Sequence, residues 1–310
     1  MPHPRRLPGT LIAFFVAAGL LTGCASSPVG GDWKALEGAN FTLYTDGDLE
    51  ETKALYRELD EFRVAMTWFT NLQKARLGKV RLMVFKSGTD ALPYLIDKEI
   101  GAWATVTTTG NLGVAKLAGQ TKPIDRQTLK RDLVKLWMDD ARVRSPNWYR
   151  EGLAELVSAF TIQGNTVTIG GLPPIELSQY ATLIADEKKG RQPGALLSDE
   201  PGRFTTEDRA RVWLVTHYLM VANRERQNAL TTYFRAWARG TPSADAFTAA
   251  FGQTPAEFYR LEVARYGTRA LAARAYTLEG KPSEPRVRAV SGEELEQLVA
   301  EVDRAVQRLR

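Results

Sequence analysis

Leu129-Lys130-Arg131-Asp132-Leu133-Val134-Lys135-Leu136-Trp137, followed by Pro146-Asn147-Trp148-Tyr149-Arg150-Glu151-Gly152-Leu153-Ala154-Glu155, decides how this chain reads. In the first stretch Leu129, Leu133, Leu136 and Trp137 recur at helical spacing. In the second, Leu153 with Leu156, Val157 and Phe160 makes an apolar stripe behind a Pro-Asn start. Arg131 and Lys135 lie four residues apart and share one helix face, as do Glu151 and Glu155. Two consecutive helices, one presenting cations and the other carboxylates, are therefore expected at the centre of the chain.

Outward from this pair the pattern changes. Upstream, Phe41–Thr45 and Lys79–Phe85 are β-rich runs, and Leu49–Leu72 between them carries a one-faced helical stripe. A short helix is expected near Thr89–Ile96. Gly101–Lys116 folds back on itself around Thr109-Gly110-Asn111, a hairpin signal. Downstream, Asn165–Ile169 is a small β excursion. Helices are expected near Glu176–Glu187, Thr206–Ala222, Gln227–Arg239, Ser243–Phe251 and Pro255–Tyr266. After the Gly/Pro-bearing stretch Gly280–Pro285, Ser291-Gly292-Glu293-Glu294 opens a charged amphipathic helix that runs to Arg310. The order predicts an α+β fold, a small N-terminal β-sheet with a helix followed by a mostly helical part. No internal repeat is visible.

Composition narrows the function classes. The chain has 310 residues, 44% hydrophobic and 25% charged, which excludes disorder and multi-span membrane architecture. Its net charge of +5 is mild and dispersed, so no nucleic-acid partner is expected. The single cysteine, Cys24, rules out an intramolecular disulfide. The two histidines, His3 and His217, leave almost no room for a site built on several imidazoles.

The N-terminus reads as an address. Arg5-Arg6, the apolar run Leu11–Leu21 and the small-residue ending Leu21-Thr22-Gly23-Cys24 have the order of a secretory signal. The ending resembles a bacterial lipoprotein signal, in which the cysteine is acylated and becomes the mature N-terminus. On that resemblance residues 1–23 are a signal peptide, Cys24 is the lipidation (palmitate) site, and 24–39 form a tether. Three acyl chains on Cys24 would exceed what stable attachment needs. Ser26 after Ala25 favours the outer membrane, with the protein facing the periplasm. His3 would leave with the signal, so His217 would be the only histidine.

The block Pro146-Asn147-Trp148-Tyr149-Arg150-Glu151-Gly152-Leu153-Ala154-Glu155 resembles the Pro-x-Trp-x-x-Glu-Gly-Leu-Ala-Glu signature of gluzincin-type zinc peptidases, and more particularly bacterial peptidase-MA-like lipoproteins. Arg211–Leu219, Leu230–Phe234, Arg239-Gly240 and Ala246–Thr254 are similar, in order, to that family's closing helices. The resemblance covers about 40–270, divided into a β-rich part, 40–120, and a helical part, 121–270. Residues 271–310 then remain as a helical tail.

In that family a His-Glu-x-x-His helix precedes the signature. Its two histidines hold zinc, its glutamate is the general base, and a downstream glutamate is the third ligand. Carried across, the first histidine falls on Arg131, the base on Asp132 and the second histidine on Lys135. Only the third ligand, Glu151, keeps its family residue, and Glu155 takes a structural position. Arginine cannot deprotonate to bind a metal, and lysine does so only when its charge is removed. No histidine lies between His3 and His217, so sliding the register rescues nothing. The resemblance therefore implies a degenerate motif, with no metal, no cofactor and no catalytic residues.

An unpaired Glu151 would be costly once a dication is gone. The expectation is that Arg131 and Lys135 neutralise it and hold the two helices together, the alternative being that they form a solvated face. A glycosidase-like use of Glu151 and Glu155 is disfavoured, because such carboxylates flank a sugar and do not share a helix face. His217, inside Val212–Met220, reads as a packing residue, and the tryptophans read as core. No Gly-x-Ser-x-Gly elbow, phosphate-cradling loop or EF-hand is present.

The functional expectation is a lipid-anchored envelope protein whose peptidase-like domain has lost catalysis and binds a protein or peptide. Such binding would use an edge strand in the Gly101–Lys116 hairpin, at Val114 and Lys116. The alternatives are a hydrolase with a non-standard site around Asp132 and Glu151, or a structural lipoprotein whose tail docks a neighbour.

Overall fold

The structure, a computed structural model, describes residues 31–117, 122–172, 190–199, 202–268, 270–278 and 283–310. Cys24, the signal and the helix expected near Glu176–Glu187 lie outside the described residues.

Residues 31–310 form one compact unit with mixed α and β structure. Its centre is a six-stranded mixed sheet. The strands are β1 (Lys34–Glu37), β2 (Phe41–Thr45), β3 (Val80–Phe85), β4 (Ala102–Thr107), β5 (Gly110–Lys116) and, from near the C-terminus, β9 (Arg286–Ala289). Their order is β4-β5-β3-β2-β1-β9. Helix α1 (Leu49–Phe69) is the crossover between the parallel strands β2 and β3. Asp48 caps it by accepting the Glu51 N–H.

Strand alternation divides the sheet's residues between two faces. Leu36, Phe41, Leu43, Val80, Leu82 and Val84 belong to the main core with α1, helix α2 (Pro123–Asp140) and helix α3 (Asn147–Ser158). The opposite face meets helix α7 (Gly292–Leu309), which buries Leu295, Leu298, Val299, Val302 and Val306. Polar contacts pin this helix: Tyr44 donates to Glu294, and Arg81 donates from both terminal nitrogens to the Glu301 carboxylate at 3.0 and 2.8 Å.

Two expectations are corrected here. The tether expected over 24–39 contains β1, and the tail expected over 271–310 contains β8 (Arg274–Thr277), β9 and α7, all built into the domain. β9 pairs antiparallel with β1, Lys34 opposite Ala289. β8 joins β6 (Thr161–Gln163) and β7 (Thr166–Ile169) in a second, three-stranded sheet. The physical reason is that β1 alone would leave one row of backbone groups unpaired and one sheet face bare. The C-terminal segment supplies both partners.

The remaining larger helices are α4 (Thr206–His217), α5 (Gln227–Ala238) and α6 (Ser243–Phe251). α4 crosses α3 very closely at Gly152. A Cβ there would lie 2.2 Å from Thr216 Oγ1 and 2.4 Å from the Val212 carbonyl oxygen. Only glycine lets the two helices approach this far.

Candidate functional site

The loop 141–146 turns the chain back, so α2 and α3 run antiparallel with their polar faces opposed. On α2, Gln127, Arg131, Lys135 and Asp139 stand at successive four-residue intervals. On α3, Glu155, Glu151 and Arg150 oppose them. Gln127 Nε2 donates to Glu155 Oε2 at 3.4 Å, and Arg131 Nη1 donates to Glu155 Oε1 at 3.1 Å. Lys135 Nζ lies 2.7 Å from Glu151 Oε1. Arg150 donates to the Asp139 carboxylate and to the Lys135 carbonyl. The result is a ladder of polar rungs between the two helices.

One expectation changes in detail. Lys135 neutralises Glu151, but the Arg131 guanidinium reaches Glu155, one turn further along α3. Antiparallel helices require this, because residues advancing along one match residues receding along the other. The Glu155 side chain is only 4% exposed and has Arg209 Nε at 4.0 Å as well, from α4. Glu155 is thus the most deeply enclosed carboxylate of the ladder. Gln127, Arg150, Asp139 and Arg209 escaped the sequence reading. Gln127 and Asp139 could have been found by extending the four-residue interval from Arg131 and Lys135 in both directions; Arg150 and Arg209 could not, because they come from other helices.

Electrostatics follow from burial and pairing. Burial opposes the charge of Arg131, but Glu155 first, then Asp132 and Glu151, overcome it and hold its pKa above the ordinary value. Asp132 sits beside the ladder, between Arg131 and strand β4. Its Oδ2 accepts the Ala104 N–H at 3.2 Å, and its Oδ1 lies 4.0 Å from Arg131 Nε. Burial pushes its carboxyl above the usual 3.8, despite Arg131, Lys135 and that amide.

The peptide-binding edge expected at Val114 and Lys116 is also corrected. Both residues belong to β5, which is interior, paired with β4 on one side and β3 on the other. The outer strand is β4, and the protein's own side chains cap it. Asp125 accepts the Gly101 N–H at 2.6 Å, Asp132 accepts the Ala104 N–H, and Arg308 donates to the Val106 carbonyl at 2.6 Å. Covering an edge this way blunts pairing with another chain.

His217 is fully buried at the end of α4. Its Nε2 lies 3.0 Å from the Gly170 carbonyl, and its Nδ1 lies 2.9 Å from the Tyr266 hydroxyl. A carbonyl only accepts, so Nε2 carries the proton. Tyr266 Oη already accepts the Ala272 N–H, which leaves its own O–H to donate to Nδ1. This arrangement suits a neutral ring, and burial lowers its pKa below 6.5 against the Gly170 and Ala272 backbone groups, which act to raise it. Tyr218, beside it, donates to Glu262 at 2.8 Å.

The donor set at Arg131, Asp132, Lys135 and Glu151 does not fit zinc. Arg131 and Lys135 present cations where imidazoles would be needed, and the neighbouring carboxylates Glu151 and Glu155 each already hold one of those cations. Among the described residues no group of three or more His, Cys, Asp or Glu is arranged to hold a metal ion. Comparison with protein-family models gives no match for the chain, and no curated protein is similar to it in sequence.

Proposed function

We propose that this chain is a cell-envelope protein, anchored through a lipidated Cys24, whose peptidase-like helix pair carries a charge ladder in place of a metal centre. It acts as a non-catalytic scaffold or adaptor for a protein or peptide. The observation that carries this reading is the pairing of Lys135 with Glu151 and Arg131 with Glu155. These cations stand where the resembled family keeps its imidazoles, and they tie up the carboxylate that would be its third ligand. With both carboxylates paired, neither Glu151 nor Glu155 is left free to act as a base toward a water molecule. Because the outer edge of β4 is capped by Asp125, Asp132 and Arg308, a partner would dock on a surface other than that strand.

Metal analysis of the purified mature chain, with a zinc titration and a broad peptide-cleavage assay, tests the proposal. The expected result is substoichiometric zinc and no cleavage above buffer. Zinc at one per chain, or cleavage abolished by Glu151→Gln, overturns it.

One observation favours the alternative hydrolase: the half-buried Asp132 carboxyl is tuned upward, as acid–base groups often are. Against it, Asp132 spends one oxygen on a backbone amide. Cleavage lost on Asp132→Asn would support the hydrolase.

A further inference from the structure

A cavity lies apart from the charge ladder, where the C-terminal ends of α1 and α2 meet α3 and α5. Its volume is about 580 Å³, within the range of small-molecule sites. Phe69, Leu72, Met138, Leu153, Met220 and Phe234 form the apolar part of its wall, and polar residues such as Ser145 and Gln227 line the rest. The two methionines supply unbranched, polarizable surface that adapts to irregular ligands.

Two features indicate a built site and not a packing fault. The first is Tyr149, which lines the cavity and is only 8% exposed. Among the described residues its hydroxyl has one partner, the Met220 sulfur at 3.6 Å. A thioether is a weak acceptor, so a buried phenol is left with its donor essentially unused. The second feature is the rim. α1 and α2 both end in Schellman motifs, in which Leu72 N–H bonds to Thr67 O and Val143 N–H to Met138 O. These motifs bring Leu72 and Val143 to the same wall. In each, a non-glycine residue takes the left-handed position: Asn71 at φ 59° and Arg142 at φ 54°. Asparagine adopts this helix-ending conformation readily, and Arg142 is the rarer case.

The head of the ligand follows from charge. Arg144 lines the cavity, is exposed, and has no hydrogen bond or ion pair among the described residues. The helix ends at this wall carry about half a negative charge each, which would favour a cation. Those end carbonyls are, however, engaged by the Schellman hydrogen bonds, whereas Arg144 carries the one charged side chain among the cavity's lining residues and has no counter-ion among the described residues.

We infer that this cavity is a binding site for a small anionic amphiphile. Its chain lies against the methionine- and phenylalanine-lined wall, an oxygen acceptor takes the Tyr149 hydroxyl, and its charge rests by Arg144.

Isothermal titration of the mature chain with decanoate, kept below its aggregation concentration, tests the inference, with decyltrimethylammonium as the charge-reversed probe. Decanoate binds one per chain with a Kd of roughly 1–100 μM. Tyr149→Phe, which keeps the shape, weakens it about tenfold. Thr231→Trp, a change at an exposed rim position that spares the core, abolishes it. The cationic probe binds at least about tenfold more weakly, a preference that Arg144→Gln erases. No binding at about 1 mM overturns the inference. So does decanoate binding that survives Thr231→Trp or ignores Tyr149→Phe, or equal affinity for the two probes.

Discussion

Lys135 Nζ and Glu151 Oε1 stand 2.7 Å apart, bridging α2 and α3 through side chains that are 23% and 17% exposed. One turn away, Arg131 and Glu155 repeat the arrangement at 17% and 4%. The difference in enclosure separates the two rungs energetically. A carboxylate that water can reach tolerates loss of its partner better than one that water cannot reach.

Lys135→Met should therefore destabilise the chain by about 1–2 kcal/mol, and Arg131→Met by about 3–4 kcal/mol. In the double variant Lys135→Met/Glu151→Leu most of the first loss returns, because both charges leave the interface together. Urea unfolding of the four proteins measures this. If Arg131→Met costs no more than Lys135→Met, the ladder is a surface feature and the ranking by enclosure fails.

His217 makes stability pH-dependent in a defined direction. The unfolded chain's imidazole titrates near 6.5, whereas burial lowers the folded value. Above 6.5 both states are neutral and nothing is lost. As pH falls below 6.5 the unfolded state takes up the proton first, so stability declines until the folded pKa is passed. The decline attributable to His217 approaches about 1.4 kcal/mol per pH unit. His217→Gln should be less stable at pH 8 yet show a flatter profile between pH 6.5 and 5, read by thermal or urea unfolding. A constant offset from the wild type across that window would mean that the ring is not held neutral.

Gly152 gives a steric prediction. An alanine methyl there would meet Thr216 Oγ1 and the Val212 carbonyl well inside contact distance, so α3 and α4 would have to part. Gly152→Ala should cost about 2–3 kcal/mol, although alanine is the better helix former. Adding Thr216→Ala removes only one of the two obstacles and should recover less than half. Complete recovery would show that the side chain alone, and not the backbone approach, sets the spacing.

The legible parts of this fold were those written in local periodicity. α1, the β4–β5 hairpin, the α2–α3 pair and α7 each show in spacing within a single segment. β1 and β9 do not. Lys34-Ala35-Leu36-Glu37, with polar residues only at its two ends, and Arg286-Val287-Arg288-Ala289, which alternates, are strands of just four residues. Their pairing joins chain ends roughly 250 residues apart, which no local pattern records. The ladder divides the same way. Spacing put Arg131 and Lys135 on one face, but which carboxylate each meets depends on the offset of two antiparallel helices, a tertiary quantity. The interior place of β5 was lost for a similar reason: hairpin chemistry names the partners within the hairpin, not the strand β3 beyond it.

The C-terminal helix carries the last prediction. Removing residues 291–310 would expose the sheet face now covered by Leu295, Leu298, Val299, Val302 and Val306. It would also leave Arg81 without Glu301, and Tyr44 and Arg288 without Glu294. Burying five such side chains is worth on the order of 8–12 kcal/mol of transfer energy, comparable to the whole stability of a domain. The truncated chain should lack a cooperative unfolding transition and expose dye-binding apolar surface. Glu301→Gln is a milder check, since burial, Arg81 and the hydroxyls of Thr107 and Thr109 all act on that carboxyl, with a net lowering of its pKa. The stability it adds is present above the unfolded carboxylate pKa and fades as pH falls through the folded value. Glu301→Gln should accordingly cost about 1–2 kcal/mol at pH 7 and progressively less towards pH 3. A truncation that unfolds cooperatively with unchanged midpoint would make α7 a dispensable appendage, and the arrangement of the sheet between two helical layers would lose its energetic meaning.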